Sequence, residues 1–246
     1  MWREILRDHG VIDVASIVFR DRHGCWGFLD LWRVDPQPPF SATELRFLGS
    51  LAEPVTEALR KAAAQSFDDV ADPPIRSGPI VLVLAPDLRV RAQTPETDAY
   101  LRRLVPPSSD QLPIPAGAYN VAAQLLACEA GIDDHPPSAR VHLADGTWLT
   151  LRASRITNGG PIGQQDIAVS IEPTSPSERL SLFARACALT PRESELLLHI
   201  ADGADTHRIA DLMYLSELTV QDHFKSIFRK TGTHNRRTLL ARAIGR

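Results

Sequence analysis

Residues 216–230, SELTVQDHFKSIFRK, admit few folds. Val220, Phe224, Ile227 and Phe228 recur at helical spacing, so one stripe is apolar. Leu218, Gln221, Asp222, Lys225 and Arg229 form the opposite stripe, polar apart from Leu218. Ser216 is the residue type that accepts an orphan amide at a helix start. Gly232 stands where a left-handed C-cap is easiest for glycine. The spacing predicts a short helix over 217–230 with a buried back and a front that can reach something.

The neighbouring residues predict what holds it. Thr190-Pro191-Arg192-Glu193 reads as a capping box with proline at the first helical position. The helix it opens carries Leu196, Leu197, Ile200 and Ala201 and stops at Asp202-Gly203. A second helix runs from about Thr206 to Met213 with Ile209, Ala210 and Met213 inward, and Tyr214-Leu215 turns the chain into Ser216. After Thr231-Gly232-Thr233, Asn235 caps a fourth helix containing Leu239, Leu240, Ala243 and Ile244. Two short helices joined by a tight turn and braced by two more make a helix-turn-helix.

Leu189-Thr190-Pro191-Arg192-Glu193, Ile209-Ala210, Leu215-Ser216, Thr219-Val220, His223, Ile227 and Lys230 together resemble the signature of the LuxR-type DNA-binding domain. The resemblance covers about 58 residues without a gap. It implies a bacterial transcription regulator whose third helix enters the major groove of double-stranded DNA. It places Gln221, Asp222 and Lys225 toward base edges, and Thr219, His223 and Arg229 nearer phosphates. Lys230 completes the expected DNA-binding set. Where the family often has a basic residue, this chain has Gln221, with Asp222 beside it. Glutamine can pair with adenine and aspartate can accept from cytosine, so readout survives a weaker electrostatic attraction.

The formal charge of −3 on 246 residues would argue against a nucleic-acid binder, but its distribution reverses that. Residues 1–183 carry a net of −6, while 184–246 hold ten Lys+Arg against seven Asp+Glu, a net of +3. A basic end on an acidic body directs one surface toward phosphates. Cys25, Cys128 and Cys187 are an odd number without paired spacing, which suggests neither a disulfide framework nor a zinc site. No apolar run reaches bilayer length and no signal-peptide core is visible, so a cytoplasmic location without a membrane partner is expected.

Toward the N-terminus, residues 11–19 and 25–32 read as strands joined at Asp21-Arg22-His23-Gly24, a polar turn preferred over a metal cluster of Asp21, His23 and Cys25. Ser41-Ala42-Thr43-Glu44 is another capping box, opening a helix with Leu45, Phe47, Leu48, Leu51, Val55 and Leu59 on its apolar side, kinked or divided at Pro54. This order resembles the C-terminal half of a GAF domain. Two strands and one or two helices cannot cover both sheet faces, so either Met1 is not the true start of this region or the exposed surface packs on a second chain or the next domain.

Asp72-Pro73-Pro74 and Ser77-Gly78-Pro79 mark a joint. Beyond it come strands at 80–84 and 88–92, helices at about 95–104 and 118–130, strands at 139–143 and 147–154 joined in a hairpin through Ala144-Asp145-Gly146, and a strand at 167–172. Leu149, Leu151 and Ala153 alternate with Trp148, Thr150 and Arg152, predicting one buried and one solvated face. The order resembles a PAS domain, which implies small-molecule binding or pairing of domains. Trp148, Arg152 and Arg155 could meet an anionic or aromatic ligand, but an outer sheet face suits them better, and His135 and His142 read as structural or solvated. No haem or flavin motif is seen, so no cofactor is expected.

The expected fold class is α+β: a partial GAF-like α/β region over 1–70, a linker at 71–78, a PAS-like mixed domain over 79–173, a linker and coupling helix at 174–183, and an all-α four-helix helix-turn-helix domain over 184–246. No nucleophile elbow, phosphate-binding glycine loop or His-Glu-x-x-His motif is present, and no catalytic residue or metal ligand is assigned. The function expected is sequence-specific DNA binding, with an N-terminal region that senses an unknown small molecule or mediates dimerisation. Double-stranded DNA, a second copy of the chain and RNA polymerase are the expected partners. The rival is a protein-interaction module whose helix-turn-helix serves mainly in dimerisation.

Overall fold

The computed structural model describes residues 10–68, 78–104, 115–143, 147–157 and 160–245. The Asp72-Pro73-Pro74 joint and the 144–146 turn fall outside them. By internal contacts the chain forms two compact units. One brings the described residues up to Phe67 together with Leu180–Ala243; the other holds Asp68–Arg179 with the last residues from Ile244. The architecture is mixed α and β, with sheet in the N-terminal part and helices alone at the C-terminus.

The first unit opens with strands β1 (Val11–Asp21) and β2 (Gly24–Val34), antiparallel, with Val14 opposite Trp32 and Val18 opposite Phe28. Asp21 makes the turn: one carboxylate oxygen accepts from the amides of His23 and Gly24 and from the Trp26 indole, and the other from Arg60. These donors saturate Asp21 as a turn-forming group. Val11, Ala15, Ile17 and Phe19 are buried on one face. Ile12, Val14, Val18, Phe28 and Trp32 are exposed on the other, Phe28 at 68% and Trp32 at 55%.

Helix α1 (Ala42–Ser50) starts at the predicted Ser41–Glu44 capping box. Helix α2 (Ala52–Gln65) follows after a break at Leu51, three residues before Pro54, which sits in the first turn where its missing amide costs nothing. The expected burial differs along this pair. None of the residues of α1 is buried, and Leu45 and Phe47 are exposed.

The second unit is a five-stranded antiparallel sheet formed by β3 (Ile80–Leu84), β4 (Val90–Gln93), β5 (Ser138–His142), β6 (Trp148–Arg155) and β7 (Ile167–Pro173), in the order β4-β3-β7-β6-β5. Helices α3 (Pro95–Leu104) and α4 (Ala116–Glu129) lie between β4 and β5 in sequence. Leu82, Leu84, Leu149, Leu151, Ile167, Val169 and Ile171 make a common core with Ala118, Val121 and Ala122 of α4.

The other sheet face departs from the expected alternation. Thr150 is fully buried, its hydroxyl bonded to Thr174. The start of helix α5 (Pro176–Ala186) explains this. Ser175 caps it, and Glu178 in its first turn takes Arg140 and Arg152 from the same sheet face. Burial alone would raise the Glu178 carboxyl, but the bonds from Ser175 and Arg140 and the charge of Arg152 outweigh it and hold the group at about 2. Arg155 grips Glu129 with two nitrogens, at 2.9 and 2.7 Å. Both arginines weighed as ligand contacts are therefore engaged by carboxylates of the chain itself.

The remaining helices belong to the first unit: α6 (Pro191–Ala201), α7 (Thr206–Met213), α8 (Glu217–Thr231) and α9 (Arg236–Ile244), the last up to Ala243. Phe183 of α5 meets Phe67 edge to face, with centroids 5.3 Å apart. Arg185 donates to the carbonyl of His23 at 2.6 Å and lies over the Trp26 ring.

Candidate nucleic-acid interface

Each helix of the C-terminal stretch begins where a side chain accepts an orphan amide. Thr190 and Glu193 form the predicted capping box of α6, with Pro191 in the first turn. Asp205 caps α7, accepting from Arg208 at 2.8 Å, Ser216 caps α8, accepting from Thr219 at 3.1 Å, and Asn235 accepts from Thr238 at the start of α9. Asp205 was not singled out from the sequence, although it is a preferred cap residue just before the expected start. Tyr214 ends α7 in the left-handed conformation, a position where tyrosine is uncommon, and Gly232 ends α8 in the same way. Tyr214, Leu215 and Ser216 are thus the whole turn of the helix-turn-helix.

The two faces of α8 are sharply different. Val220, Phe224 and Ile227 are buried. Ile209, Ala210, Met213, Leu196, Leu197 and Leu239 are buried on the neighbouring helices. Thr219, Gln221, Asp222, Lys225 and Arg229 are exposed, and His223 is half-buried at the margin. Lys225 reaches back one turn to Asp222 at 2.9 Å, so the front of the helix carries its own ion pair. Leu218 lies on this front as well, 66% exposed.

Lys230 is placed apart from the other six. Its ammonium turns inward onto Glu193, 2.6 Å away, and Ser226 donates to the other carboxylate oxygen. Burial would raise the Glu193 carboxyl, but Lys230, the Thr190 amide and Ser226 together pull it down to about 2. Arg236 is likewise occupied: it donates to Thr206 and stacks on the Phe224 ring at 4.1 Å, while Arg242 donates to the Thr231 carbonyl. Counting charges in the sequence therefore overstates the positive surface. Lys225, Arg229 and Arg237 are the exposed cations of α8 and α9 among the described residues.

One further polar contact joins the two central helices. His207 of α7 meets Glu217 in the first turn of α8 at 3.0 Å. The Glu217 hydrogen bond, then the charge of Asp211, raises the imidazole above its ordinary value.

Residues 187–243 match the family of bacterial regulatory proteins, luxR family, so this stretch is a helix-turn-helix domain of that family. A curated relative, the probable HTH-type transcriptional regulator GfsR of Streptomyces halstedii, is 33% identical over 96 residues, 37% of this chain. That match spans 39% of the relative's length. Among solved structures, a ligand and DNA complex of VqmA from Vibrio cholerae is 17% identical, with 69% of this chain and 82% of that one covered and a TM-score of 0.29. SdiA with octanoyl-rac-glycerol is 15% identical, with 77% and 86% covered and a TM-score of 0.22. No described helix is long and apolar enough to cross a membrane.

Proposed function

We propose that the chain is a transcription regulator that binds double-stranded DNA sequence-specifically through α8. The observation that carries this is the exposed front of that helix, with Gln221, Asp222 and Lys225 over a sealed back, inside the stretch matching the luxR family. Helices of this kind enter the major groove and touch base edges with their first turns. Gln221 and Lys225 have the hydrogen-bonding groups to address adenine and guanine edges, and Asp222 can accept from cytosine. Thr219, His223 and Arg229 flank them toward the phosphates. Lys230, bonded to Glu193, supports the helix from behind.

The same proposal keeps the three-part division into 1–70, 79–173 and 184–246 and the cytoplasmic location. The region over 79–173 is PAS-like in order: two strands, two helices, three strands. The region over 1–70 is a partial GAF-like sheet and serves dimerisation. The exposed apolar face of β1 and β2 supports that role, because a second copy would remove Val18, Phe28 and Trp32 from water. A small-molecule signal and a contact with RNA polymerase complete the reading.

Titration of the full chain with duplex DNA over a series of salt concentrations tests the core of it. A log–log slope of roughly −2 to −4 is expected, because few exposed cations release few counterions. A folded chain that binds no duplex at low salt overturns the reading in favour of a protein-interaction module.

A further inference from the structure

Leu218 stands out from the face on which it sits. At about 100° per residue, it lies within roughly 60° of Gln221, 40° of Asp222 and 20° of Lys225 around the α8 axis. It is the one large apolar side chain on that front, and it is 66% exposed. The core has no place for it: Val220, Phe224 and Ile227 already fill the inward stripe. Its backbone is also firmly held. Ser216 accepts the Thr219 amide, the two hydroxyls pair at 2.8 Å, and His207 holds Glu217. An exposed leucine on a fixed first helical turn loses little freedom when it is covered.

We propose that Leu218 is a specificity-determining residue that packs on the C5-methyl group of a thymine in the major groove. The inference rests on the reading of α8 as the DNA-contacting helix. The thymine methyl is the apolar feature that a major-groove edge presents. The first turn of the inserted helix is the part that reaches base edges. The polar neighbours cannot take this role. Asp222 and Lys225 are polar and bonded to each other, and Gln221 offers an amide suited to hydrogen bonds. Leu218 therefore adds a preference for T over C at a position where no hydrogen bond need be made.

The experiment uses the full chain and a duplex that the full chain itself selects from random DNA. Each thymine of the selected site is replaced in turn by uracil, which deletes only the methyl group. Binding of the native chain should fall about fourfold at one position per half-site, the loss expected for uncovering one methyl group. Leu218→Ala should bind the thymine duplex more weakly, lose nothing further with uracil, and melt like the native chain. Leu218→Met, which keeps an apolar side chain, should retain the sensitivity. Selected sites without a methyl-sensitive thymine, or an undiminished uracil effect in Leu218→Ala, overturn the proposal while leaving DNA binding intact. Failure to select any duplex removes the underlying reading as well. Leu218→Ala that binds DNA normally but loses output in a transcription assay would assign the residue to a protein contact instead.

Discussion

The ammonium of Lys230 lies 2.6 Å from the carboxylate of Glu193, thirty-seven residues earlier in the chain. Glu193 is also the capping-box residue of α6, so a single buried carboxylate ties the start of that helix to the end of α8. Losing one partner of a largely buried pair strands the other, at a cost of roughly 3–5 kcal/mol. Lys230→Met should therefore lower the stability of the first unit, measured by denaturant melting. Arg229→Ala should melt like the native chain and reduce the salt slope of DNA binding by about one unit. A Lys230→Met chain of native stability that binds DNA more weakly would make Lys230 a phosphate contact.

The same carboxylate predicts a dependence on acid. Its folded value of about 2 lies below the ordinary glutamate value, so the unfolded chain takes up the proton first as pH falls. The contribution is fully present above about pH 5 and is lost as pH drops toward 2, on the order of 3 kcal/mol in all. Denaturant melts of the native chain and Glu193→Gln at pH 7, 4 and 3 should converge as the medium is acidified. Curves that stay parallel would mean that Glu193 contributes no such linkage.

The two faces of α8 should separate in mutagenesis. Phe224→Ala removes a buried ring that also carries Arg236 and should cost roughly 3–5 kcal/mol of stability. Lys225→Ala breaks only an exposed ion pair and should leave melting within about 0.5 kcal/mol. It should weaken specific binding by about 1–3 kcal/mol if Lys225 meets a base edge. Melting each variant beside its binding to a selected and a random duplex checks both. Instability in Lys225→Ala would overturn the assignment of faces.

Gly24 tests the contact between the β1–β2 turn and α5. Its φ of 146° disfavours a side chain, and a Cβ there would overlap the Arg185 guanidinium that bonds the His23 carbonyl. Gly24→Ala should destabilise the first unit by about 1–3 kcal/mol. Arg185→Ala should lose part of the same energy, and the double variant should show that the two losses are not additive. Additive losses would mean that the turn does not act through Arg185.

Self-association through the outer face of β1 and β2 should respond to charge placed there. Sedimentation of the full chain should show a dimer, and Phe28→Asp or Trp32→Asp should shift it to a folded monomer with native circular dichroism, because both residues are exposed in the single chain. Dimers unaffected by either change would place the association elsewhere.

What could be read from the sequence was local. Ser41 with Glu44, Thr190 with Glu193, Ser216 before α8 and the break beside Pro54 are each decided within four residues, by which side chain can satisfy a nearby amide. The stripe of Val220, Phe224 and Ile227 was visible for the same reason: one helix carries its own periodicity. What escaped depended on residues far apart in the chain. Nothing near Lys230 or Arg236 in sequence shows that Glu193 stands beside the one and that the Phe224 ring lies beneath the other. Thr150 alternated like a solvated residue, and only the chain turning into α5 covers it. For the front of α8, sequence sufficed to name the exposed residues but not the Asp222–Lys225 pair, which depends on the rotamers that the two side chains adopt.

The contact of Phe67 with Phe183 has a consequence for how the chain is made. During synthesis, Phe67 leaves the ribosome more than a hundred residues before the ring it packs against. Until then the strands and helices before it are missing one wall, whereas the sheet between β3 and β7 already has all its strands. Closing a loop of that length is entropically modest but slow, because the distant partner must exist before its contact can reward the ordering. A chain released as far as residue 179 would therefore hold a middle unit with its whole sheet and the start of α5 in place, and a beginning still without its partner ring. The beginning of the polypeptide would gain its contacts with Phe183 and Arg185 only once α5 has been made.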